Sequence, residues 1–280
     1  DSTLEPGSLT YGELIIPGRS KTEVFFWSYI CHPSMANHEL SGPAMTAYLA
    51  RNILERKGDH RHTYRFVFAP ETIGSIVYAS RNLEQLQRNV IAGYVVTCVG
   101  LDREFSYLKT RLENTLADRV ALHALEYSNV EYRTFNFLSR GSDERQFNAP
   151  GIDLPVGSLM RTRYNDFPEY HNSSDDLDFL EIEGVKSSFE MYLQCVDILE
   201  NNRKYRATKL GEPQLGRYGL RRSLSGNKDL SAYERQISNV LAYSDGNTDL
   251  IQIAEYLGCA MWELISTTEQ LIKCGLLEEN

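Results

Sequence analysis

Three nearly uninterrupted apolar runs constrain this chain most: "EVFFWSYI" at 23–30, "YRFVFAP" at 64–70 and "VIAGYVVTCVG" at 90–100. Each is too short for a buried helix and carries β-branched and aromatic residues, so each reads as a strand buried on both faces. Between them lie segments of helical period, Pro43 to Arg56 and Ile76 to Arg88. Proline is tolerated in the first turn of a helix, so Pro43 fits that reading. Strand alternating with helix, and strands without a polar face, predict a parallel or mixed sheet covered by helices on both sides. Tyr11–Ile16, 131–137 and 151–159 read as further strands, and Thr115–Ser128 and Glu183–Glu200 as further helices. In the last helix Val185, Phe189, Leu193 and Val196 share one face.

In such a fold ligands bind beyond the carboxyl ends of the strands. The chemistry is therefore expected in the loops "CHPSMANHE", "PETIGS", "TCVG", "SRGSDERQF" and "PEYHNSSDD". His32, His38 and Glu39 fall within the first. His171 falls in the last, and a neutral imidazole is a common zinc ligand. A single histidine in a loop is more often a surface residue; several at one sheet edge favour a metal. His60 and His62, in "KGDHRH", are expected in a solvated loop, and His123 in a structural helix position. Glu71 directly follows a buried strand, where desolvation should raise its pKa and suit it to act as a general base on metal-bound water. A carboxylate favoured by the dipole of the following helix explains the same position equally well. Asp143, Asp175 and Asp176 read as caps and turn formers. There is no GxGxxG, P-loop or GxSxG motif, which leaves nucleotide binding and the usual serine hydrolase chemistry without support.

After Asn201 the composition turns to Gly, Arg and Lys with little periodicity, as in a linker, before three short amphipathic helices that resemble a winged helix. Over Lys228–Asn280 three Lys/Arg stand against nine Asp/Glu, and the whole chain carries −9. Phosphate contacts need the opposite sign, so a protein contact or homo-oligomer is expected of this unit rather than nucleic acid. No apolar run is long enough to span a bilayer. The five cysteines are scattered, odd in number and unpaired in spacing, as expected of free thiols in a reducing cytoplasm. The chain starts Asp-Ser-Thr, without methionine, as a fragment or processed product would.

"HPSMANHELSG", "PETIGS", "GSDERQF…APGIDLPVGSL" and "EYHNSSDD" occur in the order found in co-catalytic, two-zinc aminopeptidases. More closely, the chain resembles a bacterial aminopeptidase-like family with a C-terminal winged helix, found in surface-polysaccharide gene settings. That resemblance implies a three-layer α/β/α mixed sheet of zinc-aminopeptidase type over residues 1–204, a linker over 205–227 and a winged-helix-like domain over 228–280. It implies that more chain, with a small inserted domain, precedes residue 1. By motif position it makes His32 and His171 metal ligands, Glu71 the general base, and Asp143 a residue near the bound substrate. His38 stands where the two-zinc enzymes bridge their metals with aspartate, with Glu39 beside it. Thr72 and Thr97 stand where those enzymes have further ligands. The expectation is one zinc, held by His32, His171 and either His38 or Glu39, in a hydrolase of peptides or N-acylated small molecules. The alternative is a catalytically degenerate binding or regulatory module linked to surface-polysaccharide biosynthesis.

Overall fold

The computed structural model describes residues 3–56, 60–220 and 228–280, with side chains after 227 described from residue 232. Part of "KGDHRH" and the end of the expected linker lie outside the described residues. The chain divides into two compact units, Asp1–Val196 and Asp197–Asn280.

The first unit is built from β1 (Gly12–Ile16), β2 (Glu23–Tyr29), α1 (Ser41–Glu55), β3 (Thr63–Ala69), α2 (Ile73–Asn89), β4 (Val90–Val95), β5 (Phe105–Leu108), α3 (Leu116–Tyr127), β6 (Tyr132–Phe135), α4 (Glu144–Phe147), β7 (Val156–Met160) and most of α5 (Ile182–Asn201). Its seven strands run in the order β1-β3-β2-β4-β7-β5-β6. β3, β2, β4 and β7 are parallel, while β1 on β3 and β5 on β7 are antiparallel, so the sheet is mixed. Every residue of β2 is buried, which fits a central strand covered on both faces. Its side chains alternate as a strand requires. Phe25, Trp27 and Tyr29 pack with Tyr78 and Leu86 of α2 and Phe147 of α4. Phe26 stacks on Phe66 and meets Tyr94 and Tyr192, the last from α5. Helices thus lie on both faces, giving three layers.

The core also holds a buried ion pair. Arg65, only 1% exposed, donates from Nε to Glu23 Oε2 at 2.5 Å and from Nη2 to Glu23 Oε1 at 3.1 Å. Its Nη1 reaches Glu13 and the Tyr78 hydroxyl. Burial alone would raise the Glu23 pKa, but donors from Arg65 and Asn89 outweigh it and hold the carboxyl below its ordinary range. Breaking a buried pair strands the remaining charge, so Glu23→Gln is expected to lower stability by about 3–5 kcal/mol in urea unfolding. A loss under about 1 kcal/mol would mean the pair is solvated.

In the first unit four details differ from the sequence expectations. β5, of only four residues, was not legible. The 151–159 strand starts at Val156, after a turn. His60 and His62 are 1% and 5% exposed and anchor the β1–β2 turn, through Pro17 O and Thr22 Oγ1. On α5 a buried stripe runs through Gly184, Ser188, Tyr192 and Cys195; of the expected face Val196 is buried, while Val185, Phe189 and Leu193 are half-buried.

In the second unit β8 (Lys204–Ala207), β9 (Asp245–Asp249) and β10 (Leu277–Glu279) form a three-stranded antiparallel sheet in the order β10-β8-β9. It stands with α6 (Lys228–Tyr243), α7 (Leu250–Leu257) and α8 (Met261–Lys273). Residues 205–207, expected as the start of a linker, are thus the central strand of this sheet. Asp249 and Gln252 form a capping box on α7, which ends at Gly258 with φ +65°. No helix among the described residues is long and apolar enough to cross a membrane.

Candidate metal centre and base

His32 leaves the carboxyl end of β2, where Ile30 N still bonds Ala69 O. Four residues on, Ala36–Leu40 form a single π-helical turn leading into α1. Such turns recur at functional sites because they re-aim side chains. Asp175 caps this turn: its carboxylate accepts from Asn37 N at 2.6 Å and His38 N at 3.0 Å. Asn37 Oδ1 in turn accepts from Gly100 N, and Ser41 Oγ donates to Asn37 O. At Gly42 a Cβ would lie 2.3 Å from Val96 O, so only glycine lets α1 start this close to the end of β4.

His171 arrives from the loop after β7 at φ +61°, with Tyr170 stacked on its ring at 3.9 Å. Ser34, Thr72 and Cys98, in the neighbouring loops, also have positive φ. Clustered backbone strain of this kind marks sites that the rest of the fold holds in place. Ring centroids lie 4.4 Å apart for His32–His171, 4.7 Å for His38–His171 and 5.1 Å for His32–His38. One nitrogen from each imidazole lies within 4.8 Å of the other two. Burial, and then the neighbouring His171 and His32, push the His38 pKa down to about 3. Burial and His32 lower His171 as well. His38 is therefore neutral at ordinary pH, the form in which imidazole ligates metal.

A zinc ion fits these residues. His38 Nδ1 is buried and has no hydrogen-bond partner among the described residues, which is costly unless something takes its lone pair. Three nitrogens are also the donor set of a catalytic zinc with an open position. Glu39 is otherwise engaged: Oε1 lies 2.8 Å from His32 Nδ1, and Oε2 accepts from Cys31 N at 2.8 Å. Cys31, His32 and Glu39 make a second close group of ligand atoms.

Glu71 is half-buried at the end of β3, and Ser142 Oγ donates to its Oε1 at 2.7 Å. Thr72 turns sharply at φ +61°, held by its N–H to Asp143 Oδ1 at 2.8 Å and by Arg145 on its hydroxyl. Asp143, expected near the substrate, is instead fully buried behind this turn. Ser75 Oγ and Trp27 Nε1 complete its shell at 2.6 and 2.5 Å. Burial pushes its pKa up to about 6 against these donors, so it is still mainly a carboxylate at neutral pH. With three internal donors on its carboxylate, Asp143 holds the turn. Asp143→Asn sets an amide N–H against one of three fixed donors. It is expected to cost about 1–3 kcal/mol in thermal or urea unfolding, whereas an unchanged midpoint would leave Asp143 without this role.

The structure thus brings His32, His38 and His171 together, with Glu39 behind His32 and Glu71 pinned by Ser142. Sequence reasoning missed Tyr29, Ser142 and Tyr170 as parts of the site; it named Thr97 only at a replaced ligand position and Asp175 only as a cap, which Asp175 is. Tyr29 is a hydroxyl within an apolar run, a signal that the sequence does carry.

Residues 2–202 match the family model described as a domain of unknown function (DUF4910), and residues 203–279 a winged helix-turn-helix model. A Clostridium acetobutylicum protein is 40% identical over 279 residues, 99% of this chain and 63% of that protein. Its name assigns it provisionally to polysaccharide biosynthesis and gives it an aminopeptidase-like domain. The chain therefore spans under two thirds of that relative. A crystal structure from the same species, named provisionally as a peptidase, matches with TM-score 0.90 at 39% identity over 99% of this chain and 62% of the other. A zinc aminopeptidase of Bacillus subtilis shares the fold alone, with TM-score 0.55 at 14% identity over 68% of this chain and 48% of the other.

Proposed function

The chain belongs to the family described as a domain of unknown function (DUF4910), here joined to a winged helix, and on that premise we propose that its aminopeptidase-like unit is a single-zinc amide hydrolase. The observation that carries this reading is the convergence of three imidazoles, one nitrogen of each within 4.8 Å of the other two, together with a buried His38 Nδ1 that has no hydrogen-bond partner among the described residues. His32, His38 and His171 would hold the metal. Glu39 would act one step back, orienting His32 as carboxylates commonly orient ligating histidines. Bound there, zinc supplies Lewis-acid polarisation of a carbonyl and acidification of water. Glu71, held by Ser142, accepts the proton of the attacking water and returns it to the leaving amine. The positions of Thr72 and Thr97 support one metal rather than two: the first hydroxyl accepts from Arg145 and the second bonds His38 O. The substrate class is a peptide amino end or an N-acylated small molecule, and the relative's name supports a setting in polysaccharide biosynthesis. The acidic winged helix suits a protein partner better than nucleic acid.

A degenerate binding module is the rival, favoured by those same threonines. Elemental analysis of wild type and of the His32→Ala/His171→Ala variant separates the two. About one zinc per chain, lost in the variant, is expected. No zinc after incubation with the metal supports the binding module, and two per chain overturns the single-site reading.

A further inference from the structure

The imidazole of His38 faces three groups whose protons can be counted. Thr97 Oγ1 lies 2.9 Å from His38 O, a carbonyl that can only accept, so the threonine's one proton goes there. Tyr29 OH lies 2.6 Å from the same Thr97 oxygen. That oxygen has already given its proton, so Tyr29 donates to it. Tyr29 has then spent its own proton and can only accept from His38 Nε2, 3.0 Å away. The chain of donors therefore runs His38 Nε2–H to Tyr29, Tyr29 to Thr97, and Thr97 back to the carbonyl of His38.

The other groups nearby agree. Glu39 Oε1, 3.7 Å from His38 Nε2, is also an acceptor. Cys98 Sγ is 3.5 Å from Thr97 Oγ1, but burial pushes its thiol up to about 12, so it remains S–H and a weak partner. Tyr29, His38 and Thr97 are 1–2% exposed, so water does not compete for these protons.

We infer that Tyr29 and Thr97 are positioning residues that lock His38 in the Nε2–H tautomer and leave the lone pair of Nδ1 free for a ligand. The unpartnered state of Nδ1 is the counterpart of this lock. In a protein where both ring nitrogens could carry the proton, metal would first have to select the right tautomer. Here the fold has selected it before any ligand arrives. The loop that presents His38 is pinned by the same relay, since its last bond ends on the backbone of His38 itself.

The role of the lone pair rests on the metal-site reading, but the tautomer does not, and it is read without metal. Nitrogen-15 NMR of the chelator-treated protein at neutral pH, with the His38 signals identified by their loss in His38→Gln, should show protonated Nε2 and bare Nδ1. Tyr29→Phe and Thr97→Val should each populate the other tautomer, and Thr97→Ser, which keeps the hydroxyl, should restore the wild-type pattern. In chelator competition the first two should bind zinc about tenfold more weakly, and Thr97→Ser like wild type. A wild-type Nδ1–H pattern, an unchanged tautomer in both disrupting variants, or Thr97→Ser behaving like Thr97→Val would each overturn the relay. The predicted tautomer in a protein that binds no zinc would uphold the relay and remove only the metal reading.

Discussion

His38→Ala is expected to leave the purified protein without measurable zinc and to weaken zinc binding by more than about 100-fold. The scale comes from removing a group one step behind a ligand, which already costs about 10–100-fold. Losing a ligand from a three-nitrogen set leaves two, too few to hold zinc against water. Glu39→Gln should fall inside the 10–100-fold range, because it removes the anion behind His32 Nδ1 and keeps all three imidazoles. The comparison decides between the two residues that the sequence left open. If Glu39 were the ligand, Glu39→Gln would be the severe variant and His38→Ala the mild one. The His38 variant should remain folded, although Tyr29 loses a buried partner at a cost of about 1–3 kcal/mol. A competition assay with a chromophoric chelator, run on variants with matched circular dichroism, reads both effects. The acid side of the same assay is informative. Because His38 stays neutral down to about 3, protons do not compete with zinc there at mildly acid pH. Zinc lost between pH 7 and 5 is therefore expected to be displaced at another ligand.

The sheet was legible because β2, β3 and β4 are apolar on both faces, a pattern that only a doubly covered strand sustains. β5 was not, because "FSYL" is four residues between turns, below the length at which periodicity separates strand from loop. α5 was placed correctly but rotated. Its buried stripe runs through Gly184, whose lack of a side chain lets the helix approach the backbone of Leu101, and Ser188, whose hydroxyl donates to Val99 O, and a count of apolar residues cannot register that. His60 and His62 were misread for a related reason: a polar sequence looks solvated until tertiary acceptors such as Pro17 O are known. In the site, the motif order named His32, His38, Glu39, Glu71 and His171, of which the structure brings the three histidines within reach of one another and sets Glu39 on His32. It could not say which oxygens and nitrogens were already spoken for. That depends on contacts across the sheet, such as Trp27 to Asp143, 116 positions apart, which no local spacing encodes.

Glu71→Gln is expected to lower turnover by about 10²–10⁴-fold, the usual contribution of a positioned general base, while leaving zinc at one per chain. The substitution is nearly isosteric. The glutamine carbonyl can still accept from Ser142 Oγ, so the side chain should keep its place and lose only the ability to take a proton. That makes the variant cleaner than alanine, which would also free Ser142. Ser142→Ala should show a smaller loss, because it loosens the base without removing it. The assay uses whichever aminoacyl or N-acyl amide the zinc-loaded wild type turns over. It should report kcat and KM separately, since a base acting in the transition state lowers kcat and leaves KM nearly unchanged. Zinc lost together with activity would make Glu71 a ligand. Activity retained within about threefold would move proton transfer to another group. The most telling result would be full zinc, an unchanged unfolding midpoint and no turnover. Metal and fold would then be intact, and the missing step would be the one proton that Glu71 carries at the end of β3.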